Sequence, residues 1–128
     1  MNTATILIIE DDKVMLSSLS EILTSEGYLV REAENGKVGM NMALESKPQL
    51  VILDLNLPEV YGMTIMQKIR EEGGDWGQNV SIIVLTNQDI DDATMNSIAL
   101  YTPTFYLVKA DMNLSQIVEN VKSALEGK

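Results

Sequence analysis

Apolar residues in this chain follow two rhythms that alternate along its length. Four short runs are Ile6-Leu7-Ile8-Ile9, Leu50-Val51-Ile52-Leu53, Val80-Ser81-Ile82-Ile83-Val84-Leu85, interrupted only by Ser81, and Phe105-Tyr106-Leu107-Val108. Each is too short for a separate helix and rich in β-branched residues, so each predicts a strand of a buried parallel sheet. Residues 28–33 predict a further, half-exposed strand. Between the strands the apolar residues recur at helical spacing. Met15, Leu19, Ile22 and Leu23 mark a first helix, ended by Gly27. A weaker second helix follows the punctuation Asn35-Gly36 and runs to about Ser46, stopped by Pro48. A third surrounds Ile65, Met66 and Ile69 and ends at Gly73-Gly74, and residues 73–79, with the single tryptophan Trp76, predict a loop. The fourth helix, from Asp91 to about Leu100, has the weakest apolar stripe. The fifth carries Leu114, Ile117, Val118, Val121 and Leu125 on one face, with Asn113 and Gln116 at capping-box spacing.

Strands and helices in alternation, joined by right-handed crossovers, predict a three-layer α/β sandwich of five βα units. In such sheets ligands bind outside the carboxyl ends of the strands, where the strand order reverses. Polar residues stand at those ends: Glu10-Asp11-Asp12 after the first run, Asp54 after the second, Thr86 and Lys109 after the last two. Residues far apart in the chain are therefore expected to converge on one site. The acidic trio alone would read as charge complementing a helix dipole, and Asp12 suits the N-cap of the first helix. Asp54, directly after a fully apolar strand, has no comparable surface role.

Composition narrows the chemistry. The 128 residues suffice for a single core, so one domain over residues 1–128 is expected. Hydrophobic residues make up 45%, yet no apolar stretch approaches the roughly 20 residues of a membrane span. The N-terminus lacks the charged and apolar regions of a signal peptide, so a soluble, cytoplasmic domain is expected. Cys is absent, which removes disulfides, metal thiolates and thiol nucleophiles. His is absent too, which excludes Ser-His hydrolysis, histidine-ligated metals and a phosphohistidine of the chain's own. A net charge of −10, with nine scattered Lys and Arg, argues against nucleic-acid binding.

The segments ILIIEDD, VILDLNLPEVYG, IIVLTN and FYLVK, in this order and each at a strand end, resemble the receiver domain of two-component response regulators. The resemblance covers almost the whole chain. It implies the flavodoxin-like strand order 2-1-3-4-5, in which strands one and three flank the switch point and bring Glu10, Asp11 and Asp54 together. Two negative charges ~4 Å apart repel by roughly 4 kcal/mol at an effective dielectric of 20. Three carboxylates in one crevice therefore require protons or a cation, and Mg²⁺, for which Mn²⁺ can substitute, suits an all-oxygen ligand set. By the same resemblance Asp11 and Asp54 bind the metal directly, the backbone carbonyl of Asn56 is a third ligand, and Glu10 acts through water.

The resemblance also assigns roles. Asp54 is the phosphoacceptor, taking its phosphoryl group from a partner's phosphohistidine, and the domain slowly hydrolyses its own aspartyl phosphate without being a conventional enzyme. Lys109 pairs with a phosphoryl oxygen and Thr86 donates its hydroxyl to the acyl phosphate. Tyr106 points to the side of its strand opposite Leu107 and Lys109. As the switch aromatic it couples phosphorylation to the surface of the fourth helix, fifth strand and fifth helix. Asn56, Asn87 and Gln88 modulate access and hydrolysis. The implied partners are a sensor histidine kinase or histidine phosphotransfer protein, a downstream effector, and a second copy of the chain through that switching surface, with no membrane or nucleic acid.

Departures from the family pattern stand beside these expectations. Ala110 occupies the position where receivers usually have a proline joined by a cis bond, and a non-prolyl cis bond costs ~2.5–4 kcal/mol. Asn87 is larger than the residue often found after the threonine. Tyr101-Thr102-Pro103-Thr104 replaces a Gly-Ala-Asp stretch. Two other readings stay open: a receiver-like interaction module that is not phosphorylated, and a phosphatase of the haloacid dehalogenase type. The second family wants Asp-x-Asp near its N-terminus, whereas Asp54 here is followed by Leu55-Asn56.

Overall fold

A computed structural model of the chain describes residues 3–57, 60–87, 92–111 and 113–126. The elements are β1 (Thr5–Ile9), α1 (Lys13–Ser25), β2 (Leu29–Ala33), α2 (Gly36–Ser46), β3 (Leu50–Asp54), α3 (Gly62–Glu72), α4 (Gly74–Asn79), β4 (Ser81–Thr86), α5 (Asp92–Ala99), β5 (Phe105–Val108), a 3₁₀ turn (Lys109–Asp111) and α6 (Leu114–Glu126). The strands form one parallel sheet in the order β2-β1-β3-β4-β5. The expected fourth and fifth helices are thus α5 and α6, and Asp91, the expected start of the fourth, lies outside the described residues. The loop expected over residues 73–79 is instead a sixth helix, α4. Gly74 at φ 64 turns the chain into it, and Trp76 secures it by donating its indole N–H to the Pro48 carbonyl at 2.7 Å. A six-residue helix built on two glycines has no apolar periodicity to betray it.

Side-chain alternation distributes the core between two layers. Ile6, Ile8, Leu50, Ile52, Ile83 and Leu85 pack with Leu16, Leu19 and Leu23 of α1 and Ile117, Val118 and Val121 of α6. Leu7, Ile9, Val51, Leu53, Ile82 and Val84 face Ala43 of α2, Ile65, Met66 and Ile69 of α3 and Ile98 of α5. Every residue of β3 and β4 is buried, and full burial of each large aliphatic chain contributes about 1.5–3 kcal/mol. The outer strand β2 is half-exposed. Expected caps are present: Asp12 accepts from the amides of Val14 and Met15, and Asn113 accepts from Gln116 at 2.8 Å. α5 buries only Ile98, in keeping with its weak stripe.

Two residues lock the backbone around the sheet. Arg70 donates from Nε to the Tyr101 carbonyl at 2.7 Å, from Nη1 to the carbonyls of Gly77 and Val80 at 2.9 and 2.7 Å, and from Nη2 to that of Thr102 at 3.0 Å. One guanidinium thus joins α3, α4 and the approach to β5, where Thr102 sits at φ 47. Burial pulls the Arg70 guanidinium below its ordinary value. Gly62 opens α3 against the end of β3: a Cβ there would run into the Asp54 carbonyl oxygen and come within 2.7 Å of Leu55 Cα. Gly62→Ala is therefore expected to cost about 1–3 kcal/mol, read from the denaturant midpoint, and to shift the Asp54 and Leu55 amide resonances. An unchanged midpoint would mean that the backbone has room to give.

Candidate functional site

The register of the strands assembles the site. Ile9 pairs with Leu53, so Glu10 and Asp54, each one residue further, stand level on neighbouring strands. Asp54 pairs with Leu85, and Thr86, one residue beyond, pairs with Val108, after which comes Lys109. Parity then sorts the side chains. Glu10, Asp54 and Lys109 continue the rows that face α1 and α6, whereas Thr86 continues the Ile82 and Val84 row toward the α3 and α5 layer. Tyr106 packs in that same layer, while Phe105 and Leu107 pack in the opposite one. The expected orientation of Tyr106 relative to Leu107 is therefore seen.

Burial and charge are concentrated here. Glu10, Asp54 and Thr86 are 0%, 1% and 0% exposed, while Asp11 is exposed. Carboxylate oxygens of Glu10, Asp11 and Asp54 all lie within 4.8 Å of one another. The Lys109 ammonium is inserted between the two buried acids, 2.5 Å from Glu10 Oε1 and 3.2 Å from Asp54 Oδ2. Glu10 Oε2 accepts the Asp12 amide at 3.2 Å. Burial, with Asp54 alongside, raises Glu10 from 4.5 to about 7 against the opposing pull of Lys109. Burial pulls the Lys109 ammonium down, but its hydrogen bond to Glu10 and the charges of Asp54 and Glu10 outweigh this, and the net shift is upward. The ammonium of Lys109 thus lies against both buried acids, and Asp11 is the exposed carboxylate of the cluster. All-oxygen donors without His or Cys fit a hard divalent ion.

Asn56 bridges two strand ends. Its backbone N–H donates to Asp54 Oδ1 at 2.8 Å, and its side-chain Oδ1 accepts from the Thr86 hydroxyl at 3.2 Å and from the Asn87 amide at 2.9 Å. The sequence singled out Asn56 for its carbonyl and for access; its side-chain bond to Thr86 was not legible, because nothing in the spacing reports which way a loop amide turns. Gly62 and Arg70 were also missed. Both act through backbone atoms, and only a glycine at the start of a helix or a lone arginine on one could have hinted at them. Gln88 lies outside the described residues. Among the described residues no peptide bond is cis, Lys109-Ala110 included.

Acids, a threonine and a lysine thus gather at the carboxyl edge of an open parallel sheet. The family described as the response regulator receiver domain matches residues 6–122, and the chain belongs to that family. It is similar to the transcriptional regulatory protein YdfI of Bacillus subtilis (strain 168), at 30% identity over 95% of this chain and 55% of that protein. The chain spans 55% and 35% of the first curated relatives it matches. Its fold is that of the CheY-like receiver domain protein from Methanospirillum hungatei JF-1, with a TM-score of 0.87 at 23% identity over 98% of this chain and 96% of that one. The Vibrio cholerae chemotaxis protein CheY4 is similar at a TM-score of 0.86 and 21% identity, covering 97% and 100%. The chain is thus a receiver domain of two-component signal transduction, and neither the unphosphorylated module nor the phosphatase reading is favoured. No helix among the described residues is long and apolar enough to cross a membrane.

Proposed function

We propose that Asp54 accepts a phosphoryl group from a phosphohistidine on a sensor histidine kinase or histidine phosphotransfer protein, and that the resulting acyl phosphate switches the domain. What supports this reading is the Asp54 carboxylate itself, 1% exposed at the end of an apolar strand, with a lysine at 3.2 Å and two further acids beside it. An Asp54 oxygen attacks phosphorus, the P–N bond breaks, and the partner's imidazole leaves with that electron pair. Lys109, already held at the site by Glu10, supplies a compact positive charge to a phosphoryl oxygen. Thr86 then donates its hydroxyl to the acyl phosphate. Asp11 and Asp54, with the Asn56 carbonyl and Glu10 through water, would hold Mg²⁺, which when bound neutralises phosphoryl oxygens.

Output runs through the layer that Thr86 and Tyr106 share. Movement of Thr86 toward the phosphoryl group frees space beside Val84, the strand neighbour of Tyr106, and biases the surface of α5, β5 and α6 between two packings. Met95 and Leu100 are exposed there, so this surface serves an effector or a second copy of the chain. Intact-mass spectrometry after treatment with a small phosphodonor is expected to give one phosphoryl adduct that needs Mg²⁺ or Mn²⁺. An adduct formed in excess chelator, or one that persists in Asp54→Asn, would overturn the assignment.

A further inference from the structure

We propose that a cavity at the amino edge of the sheet, far from Asp54, is a binding site for a small organic cation with an apolar, ring-sized body. The site is separate from the phosphoacceptor chemistry and does not rest on it. Among the described residues, Ala4, Tyr28, Gln49 and Val80 line it, and each stands immediately before a strand, β1, β2, β3 and β4 in turn. The carboxyl edge that carries Glu10, Asp54 and Thr86 lies a strand length away, roughly 17 Å for five residues. The cavity holds about 690 Å³, inside the range of roughly 300–1,000 Å³ usual for small-molecule sites.

Its walls are apolar and come from both layers of the core. Trp76, packed against the layer of α2, α3 and α5, forms one wall. Tyr28 and Leu125, packed against the layer of α1 and α6, form another. The one polar atom of the Trp76 ring is engaged, donating to the Pro48 carbonyl at 2.7 Å, so carbon surface is what the ring has left for a ligand. Charge at the rim then selects the ligand. Glu26, Lys122 and Glu126 also line the cavity, two acids against one lysine. Lys122 is committed to Glu26, Nζ to Oε1 at 3.0 Å, whereas Glu126 makes no ion pair among the described residues. Asn79 adds an acceptor: its Nδ2 donates to the Asp75 carbonyl at 2.8 Å, and because a carbonyl can only accept, the amide oxygen is the atom left over. Aromatic faces attract cations as well. An anion would have to draw Lys122 away from Glu26 and would be repelled by Glu126, while an ammonium is offered a carboxylate, an amide oxygen and two aromatic rings.

Trp76 is the single tryptophan of the chain, so its emission reads occupancy directly. The probes are 4-phenylbutylamine, 4-phenylbutyrate with the same body and the opposite charge, and tetramethylammonium, a cation without the body. 4-Phenylbutylamine is expected to change Trp76 emission saturably and to shift the amide resonances of Gly27, Tyr28, Gln49 and Asn79 while that of Asp54 stays in place. It should bind at least about 5-fold tighter than 4-phenylbutyrate, the scale of one exposed charge interaction. Glu126 is exposed at the end of α6, where a lysine suits the helix dipole, so Glu126→Lys should fold as wild type does and reverse the preference. An emission change that does not saturate, equal affinity for amine and carboxylate, or the same change with tetramethylammonium overturns the proposal. So do resonance shifts confined to the carboxyl edge, or a preference that Glu126→Lys leaves intact.

Discussion

Arg70→Ala is expected to lower the unfolding free energy by about 2–4 kcal/mol, among the largest losses available from a single residue outside the apolar core. Hydrogen bonds from a charged donor contribute roughly 1.5–3 kcal/mol each, and Arg70 makes four to carbonyls of Gly77, Val80, Tyr101 and Thr102. Water recovers part of this once the guanidinium is gone, so the loss stays below the sum. Arg70→Lys should recover less than half, because an ammonium is a compact donor that cannot span the fork. A thermal melt gives the answer directly: a fall of roughly 10 °C is expected for Arg70→Ala. A melting point within a degree or two of wild type would show that the carbonyls are held by the backbone alone. The consequence reaches the site, since Thr102 precedes β5, which carries Tyr106 and leads into Lys109.

Metal-free protein is expected to lose stability as the pH rises from about 4.5 to about 7, and Mg²⁺ is expected to remove that loss. Glu10 has a folded-state value of about 7 against 4.5 for the free side chain. Between those values the folded chain binds more protons than the unfolded one, so unfolding becomes easier as pH increases. The stabilisation from neutral Glu10 is complete below 4.5 and gone above 7, amounting to about 3 kcal/mol at most. A divalent ion requires the deprotonated acids, so its stabilising effect should grow over the same window. Denaturant melts at pH 5, 6, 7 and 8, with and without Mg²⁺, test this. Glu10→Gln should flatten the metal-free slope. Asp11→Asn should lose the response to Mg²⁺. A wild-type slope retained in Glu10→Gln would place the titrating group elsewhere.

Glu10 also illustrates where sequence reasoning stops. Once the resemblance set the first and third strands side by side, Coulomb repulsion imposed the requirement that the three acids at their ends be neutralised. Whether a proton, a metal or a lysine meets it depends on distances of a few ångströms, and here Lys109 reaches both buried acids. The ends of strands were legible because a carboxylate after an unbroken aliphatic run is a sharp discontinuity. Helix α4 was not, because Gly74, Gly77 and a single tryptophan carry no period, and it forms through contacts with Pro48 and α3.

The hydrophobic pattern by itself determined the strands, the alternation with helices, and so the edge at which Glu10, Asp11, Asp54, Thr86 and Lys109 meet, because burial on one or two faces imposes a period that survives in the sequence. Tertiary structure alone decided that Arg70 clasps four carbonyls, that Gly62 lies against the Asp54 backbone and that the Asn56 amide holds the Thr86 hydroxyl. These interactions join residues through hydrogen bonds and close approaches to main-chain and loop atoms. Such contacts have direction and distance but no periodicity, and so leave no trace along the chain until it is folded.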